Sequence, residues 1–289
     1  IESLYLENAP RAALLYGVTG SGKTKVILCA IDRALADGKT VIMLPGPPDE
    51  LTRIFDEKVS PYIKARSEAA IVSKNVNIFG IGESALEERI KSLMENAQNP
   101  TVAPYCKAGE VRLRVTAKAE SEAEAERMCD ETVKHICESE AGKFVYGIDK
   151  DTLERALVDA LHESGLTISC AESLTGGLIA QRITAVAGCS DVFFGGAVTY
   201  TNEIKHKLLG VSEETLEKHG AVSGKTAMEM AKGARERFGA DIAVSLTGVA
   251  GPDSDDRGNP VGLVYIGLSC GDDTLCRKVF CGSPRSRCR

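Results

Sequence analysis

The sequence predicts an α/β protein in three parts. A three-layer α/β domain spans residues 148–289, a small α+β domain precedes it over 71–147, and a phosphate-loop fragment stands ahead of both. Three observations predict this. A strand, a glycine-rich loop and a helix follow one another between residues 12 and 38. Between 71 and 147, apolar–polar alternation is interleaved with runs of helical period. From 150 onward, apolar strands end in Ser, Thr, Tyr, Lys or Gly and lead into helices, a pattern that gathers ligand groups at strand ends. A length of 289 residues allows about two domains, and 43% hydrophobic residues suffice for packed cores.

The first segment reads "LLYGVTGSGKTKVILCAIDRALADGKTVIML" over residues 14–44. Ala12 to Tyr16 is a short buried-strand pattern. Gly17, Gly20 and Gly22 permit a tight turn with inward-facing amides, and Lys23 and Thr24 open an apolar-periodic helix that stops near Gly38. In such a loop the amides hold phosphates, Lys23 reaches the terminal ones and Thr24 ligates magnesium. ATP turnover also needs a carboxylate at the end of a second strand. "KTVIML" ends in Pro45, and "ADIAVSLTG" carries its Asp before the strand, so the loop lacks its partners.

Residues 45–70 read as a proline-rich turn and one short amphipathic helix. In 71–147, "AIVSKNVNIFGIG" is a strand and "ESALEERIKSLMENA" a helix with Leu86, Ile90, Leu93 and Met94 on one face. "GEVRLRVTAKAE" sets Val111, Leu113 and Val115 against Arg112 and Arg114, a half-buried strand. "SEAEAERMCDETVKHICESEAG" is a second helix with an acidic, solvated outer face. "DTLERALVDALHESG" is a helix with an Asp/Thr cap and a Gly stop.

The chemistry-bearing residues follow. "CAESLTGG" (170–177) places Ser173 on a strand-to-helix turn, with Thr175, Gly176 and Gly177 opening the next helix. A serine there is exposed, near helix-start amides able to stabilise an anion. In "GAVTYTNEIKHKLLGV" (196–211), Tyr200 ends a strand and Lys205 lies on the following helix. In "SLTGVAGPDSD" (245–255), Thr247 and Gly248 begin a turn of small residues that a ligand could approach closely. These residue types allow acyl transfer, provided the serine has a base. None of the four histidines stands in a triad-like pattern. A lysine serves if burial lowers its pKa, so Lys205 is the candidate base, with Tyr200 to relay a proton or orient the substrate. The competing reading makes Ser173 a helix cap and Lys205 a surface charge.

Composition narrows the function classes. A net charge of −6, without Trp, argues against a protein that grips nucleic acid. No apolar run approaches the roughly 20 residues of a membrane span, and no signal-peptide pattern opens the chain. Of the ten cysteines, none forms a CxxC and no histidine lies at ligand spacing, so neither metal nor cofactor is expected. The first seven lie in apolar segments, as reduced core residues of a cytoplasmic protein would. Since the chain opens on Ile1, a native start upstream is expected.

Two resemblances follow from these stretches. Residues 11–44, through "LLYGVTGSGKT" and "DGKTVIML", resemble the nucleotide-binding segment of the primosomal replication-restart helicases, and the resemblance stops near Leu44. From Pro45 to about Leu268 the chain resembles the CinA family of competence/damage-inducible proteins. "AESLTGG", "GGAVTYTNEIKHKLLGV", "HGAVS", "MEMAKGARERFGADIAVSLTGVAGP" and "PVGLVYIGLS" carry it.

The second resemblance implies an amidase domain that hydrolyses the carboxamide of nicotinamide mononucleotide to nicotinic acid mononucleotide and ammonia. It implies Ser173 as nucleophile, Lys205 as base and Tyr200 as its helper. Thr175, Gly176, Gly177, Thr247 and Gly248 would line the pocket. Residues 71–147 resemble the family's KH-type domain, without a GxxG loop that would suggest RNA binding. "LPGPPDEL" (44–51), leading into the segment 45–70, resembles the last piece of its molybdopterin-binding-like domain, so the pyrophosphatase activity tied to that domain is expected to be absent. Leu174 stands where the family usually has Cys, and the ending from about residue 270 departs from its pattern, as a frame-shifted or truncated tail would. The joint at "VIMLPGPP" suggests a recombined or mis-assembled N-terminus. The expected partner is the nucleotide substrate, with no membrane or nucleic acid and a homodimer allowed. The rival functions are an ATP-dependent DNA-processing protein working through Lys23 and an inactive scaffold.

Overall fold

The computed structural model describes residues 23–38, 41–66, 69–96, 98–107 and 109–281. The chain divides into two compact units, residues 1–70 and 71–289. Gly17, Gly20 and Gly22 lie outside the described residues, so the phosphate-loop fragment is not part of the fold set out below; Lys23 and Thr24 are the first residues of α1 (Lys23–Ala36).

In the first unit, α2 (Pro48–Ile54), a π-helical turn (Phe55–Val59) and α3 (Ser60–Lys64) run on without a break. Pro48 suits the start because its missing N–H would have no intrahelical partner there, and Asp49 and Glu50 complement the helix dipole. Among the described residues of this unit, Val59 alone is buried.

The second unit holds two sheets. The first has the order β2-β3-β1-β4, formed by β1 (Ala70–Phe79), β2 (Thr101–Lys107), β3 (Glu110–Ala119) and β4 (Val145–Ile148). β3 buries Val111, Leu113, Val115 and Ala117, the alternate residues of one face. They pack with Leu86 and Ile90 of α4 (Glu83–Asn96) and with Ala125, Cys129, Val133 and Ile136 of α5 (Glu122–Glu138). Those four α5 residues recur at helical spacing, and Ser121 caps the helix by accepting the Glu124 amide. β2 and β4 were not foreseen. β2 carries Pro104 mid-strand, which reads as a break but is tolerated because β2 is an edge.

The second sheet has the order β6-β5-β7-β8-β9. Its strands are β5 (Ile168–Glu172), β6 (Phe193–Val198), β7 (Ile242–Gly248), β8 (Leu263–Cys270) and β9 (Asp273–Phe280). β5 pairs in parallel with both β6 and β7; β8 and β9 add antiparallel. Adjacent residues of one strand point to opposite faces, and these faces meet different helices. Ile168 and Ile242 pack with Val158 and Leu161 of α6 (Leu153–Ser164) and Ile183 of α7 (Leu178–Thr184). Ala171 and Ala243 pack with Leu209 of α8 (Asn202–Leu209), Leu216 of α9 (Glu213–His219) and Met230 and Ala234 of α10 (Gly224–Phe238). Helices on both faces make the three layers that the sequence predicts.

α10 sits so close to β8 that position 267 has no room for a side chain. A Cβ on Gly267 would overlap the Ala227 carbonyl and approach Ser245 Oγ to 2.5 Å. Gly267→Ala should therefore lower stability by about 1–3 kcal/mol, read as a drop in the thermal unfolding midpoint.

The tail from about residue 270 forms β9 through Phe280, in continuous antiparallel register with β8. One sequence expectation is corrected. Of the first seven cysteines, Cys129 and Cys170 are buried, whereas Cys29, Cys106, Cys137 and Cys270 are exposed. The exposed four lie in apolar runs but fall on outward faces or strand ends. Among the described residues, no helix is long and apolar enough to cross a membrane.

Candidate active site

The three sequence stretches meet because parallel strands end at the same edge of a sheet. β5 hands over to Ser173, β6 to Tyr200 and then α8, and β7 to the turn after Gly248. The chain leaves β5 for β6 on one side and returns to β7 on the other. This is a topological switch point, the place where open α/β sheets form a crevice.

Ser173, expected to be exposed on its turn, is buried at 8% exposure, and its amide donates to the Leu246 carbonyl of β7 at 3.0 Å. Leu174 packs with Ala250 and Val264, which anchors the turn by an apolar contact. Gly176 (φ 62°) and Gly177 (φ 97°) both take left-handed backbone, so two successive glycines are needed before α7. α8 starts at a Thr201 cap that accepts the Ile204 amide. That start sets Lys205 one turn into the helix, facing inward.

Lys205 is buried, at 1% exposure. Its Nζ lies 3.1 Å from Ser173 Oγ, 2.8 Å from the Thr199 carbonyl and 3.3 Å from the Tyr200 carbonyl. Burial pushes its pKa down from 10.5 to about 8. The reading of Lys205 as a surface charge is therefore overturned. Ser173 does not cap α7 either: the cap position is Gly177, without a side-chain bond. As an ammonium, Lys205 donates one N–H group to each of these three oxygens. Once neutral, it keeps two N–H groups for the two carbonyls and turns its lone pair to the Ser173 hydroxyl.

The helix-start amides expected to await an anion are already occupied. Glu172, 1% exposed, accepts from Gly177 and Ile179 through Oε2 at 3.0 and 3.1 Å, and from Ala180 through Oε1 at 2.9 Å. Below it, Cys170 sits 3.7 Å from Oε1, and burial together with that carboxylate raises its thiol to about 12. Glu172 is the residue that sequence reasoning missed. Its signal was a carboxylate closing a short, mostly apolar strand one residue before the candidate serine.

The other named residues fall as follows. Tyr200 reaches Lys205 through its main-chain carbonyl, while the residue is 62% exposed. Thr175 is buried. The Thr247 hydroxyl donates to the Ala221 carbonyl at 2.7 Å. A Cβ on Gly248 would come within 2.5 Å of the Leu263 carbonyl, so packing against β8 demands glycine there.

Residues 150–289 match the family described as the CinA C-terminal domain, and residues 73–147 match the damage-inducible protein CinA KH domain. A CinA-like protein of Kosmotoga olearia is 46% identical over 252 residues, covering 87% of this chain and 61% of that protein. A putative competence-damage inducible protein of Clostridium acetobutylicum is 46% identical over 261 residues, covering 90% of this chain and 62% of its own length. The chain thus spans about three fifths of these relatives. A solved structure of the competence/damage inducible protein CihA from Agrobacterium tumefaciens is 43% identical, covering 47% of this chain and 84% of that one with a TM-score of 0.45. With its two matched segments and these relatives, the chain belongs to the CinA family.

Proposed function

We propose that this chain is an amide hydrolase that converts nicotinamide mononucleotide to nicotinic acid mononucleotide and ammonia. The observation that carries the reading is the buried contact between Ser173 and Lys205. A hydroxyl becomes a nucleophile when a neighbouring base takes its proton. The neutral Lys205 amine takes that proton as Ser173 Oγ adds to the carboxamide carbon. The ammonium formed then protonates the leaving nitrogen, and ammonia departs. Water, activated by the same amine, attacks the acyl-serine and releases the carboxylate. Thr175, Gly176, Gly177, Thr247 and Gly248 border the substrate in this reading.

The test is ammonia release from nicotinamide mononucleotide by the purified chain, without metal or ATP. Turnover that depends on ATP and DNA and is lost in Lys23→Ala would favour the rival DNA-processing reading. Tyr200 has a smaller part than a proton relay. Its carbonyl holds Lys205 whatever its side chain, so Tyr200→Phe should slow turnover less than about tenfold. A loss beyond about 100-fold, the range of general acid–base groups, would restore the phenol to the proton path.

A further inference from the structure

We infer that Glu172 is the positioning residue of this site, holding both halves of the Ser173–Lys205 pair from one point of the chain; this rests on the reading of Ser173 as nucleophile. Its side chain and its main chain act on different partners. The carboxylate ties down the amides of Gly177, Ile179 and Ala180, which close the turn that begins at Ser173. Inside that turn, the Gly176 amide donates back to the Ser173 carbonyl at 3.2 Å. The Glu172 carbonyl accepts the Thr199 amide at 2.8 Å, and the Thr199 carbonyl in turn accepts from Lys205 Nζ.

The charge is stabilised where it stands. First-turn amides have no intrahelical partner and favour a negative group, so a buried carboxylate is affordable at this place. Three charge-assisted bonds to one short turn leave Ser173 little freedom to leave Lys205. The same bonds remove these amides from the substrate's reach. A substrate anion must be held by groups other than these three amides.

Glu172→Gln is the discriminating variant. An amide side chain has one acceptor oxygen, and its NH2 must face at least one of the three backbone donors. The probe is a fluorophosphonate, in which Ser173 Oγ displaces fluoride from phosphorus and its proton passes to Lys205; the modified residue is identified by peptide mass. Relative to the unmodified chain, Glu172→Gln should lower the limiting labelling rate by about tenfold or more while the half-saturating probe concentration stays within twofold. Glu229→Gln is the matched control. Glu229 accepts the Ser212 amide at 2.8 Å and the Thr215 hydroxyl at 2.6 Å at the start of α9, away from the pair. It should lower the unfolding midpoint without changing the labelling rate.

If Glu172→Gln does not fold, Ile179→Pro deletes one of the same bonds from the helix side, at a first-turn position that proline tolerates. It should slow labelling in the same sense. Labelling at the unmodified rate in either folded variant overturns the inference, as does an equal loss in Glu229→Gln. If Ser173 of the unmodified chain is not labelled at all, the nucleophile reading fails and the inference falls with it, a result distinct from equal labelling of parent and variant.

Discussion

Ser173→Ala should lower ammonia release from nicotinamide mononucleotide by about 10⁴-fold or more, because it removes the oxygen that attacks in the proposed reaction. The fold should survive the change. The Ser173 amide keeps its bond to the Leu246 carbonyl, the Gly176 amide keeps the Ser173 carbonyl, and neither needs the hydroxyl. What is lost is the contact with Lys205, whose Nζ retains the Thr199 and Tyr200 carbonyls. The measurement is ammonia release beside circular dichroism and the unfolding midpoint. Residual turnover above a hundredth of the parent, with an unchanged spectrum, would assign the attacking atom to another group.

Replacing Lys205 should cost about 10²–10⁴-fold, the usual range for a general base. Lys205→Arg should be nearly as harmful as Lys205→Met, since a guanidinium stays protonated at any working pH. The titration supplies a second signature. The amine must be neutral to accept the serine proton, and burial brings its pKa to about 8. Turnover of the parent should therefore rise with pH, tenfold for each unit, and level off near 8. Stability follows the same group. Its pKa is lower in the folded chain than in the unfolded one, so between about 8 and 10.5 the unfolded state binds the extra proton. Stability gained from this site thus grows as pH rises through that window; below about 8 the full cost, about 3 kcal/mol, is present. Lys205→Met should abolish this rise relative to the parent, as read by denaturant unfolding at pH 7.5, 9 and 10. A parent and variant that change in parallel across that range would mean Lys205 is not the group that titrates.

Much of the molecule was legible in the sequence because local patterns report local geometry. The alternation of Val111, Leu113 and Val115 marked β3, the acidic outer face of "SEAEAERMCDETVKHICESEAG" marked α5, and the Thr152 cap and Gly165 stop marked α6. Ser173 and Lys205 could be named as candidates because each stood just beyond an apolar strand. β2 was hidden by Pro104, since tolerance of a proline depends on whether the strand is an edge, and one strand's sequence does not carry that information.

The sequence by itself determined which residue types stand at the ends of which strands. Only the tertiary structure decided that Ser173 and Lys205, 32 positions apart, lie 3.1 Å from each other. The parallel pairing of β5 with β6 makes that contact, and pairing between distant strands is not written in either one alone. The packed environment also decided the protonation of Lys205, because desolvation belongs to the surroundings and not to the residue. It decided the part of Glu172 as well: a carboxylate at a strand end reads as polar and exposed until the amides that neutralise it are folded around it.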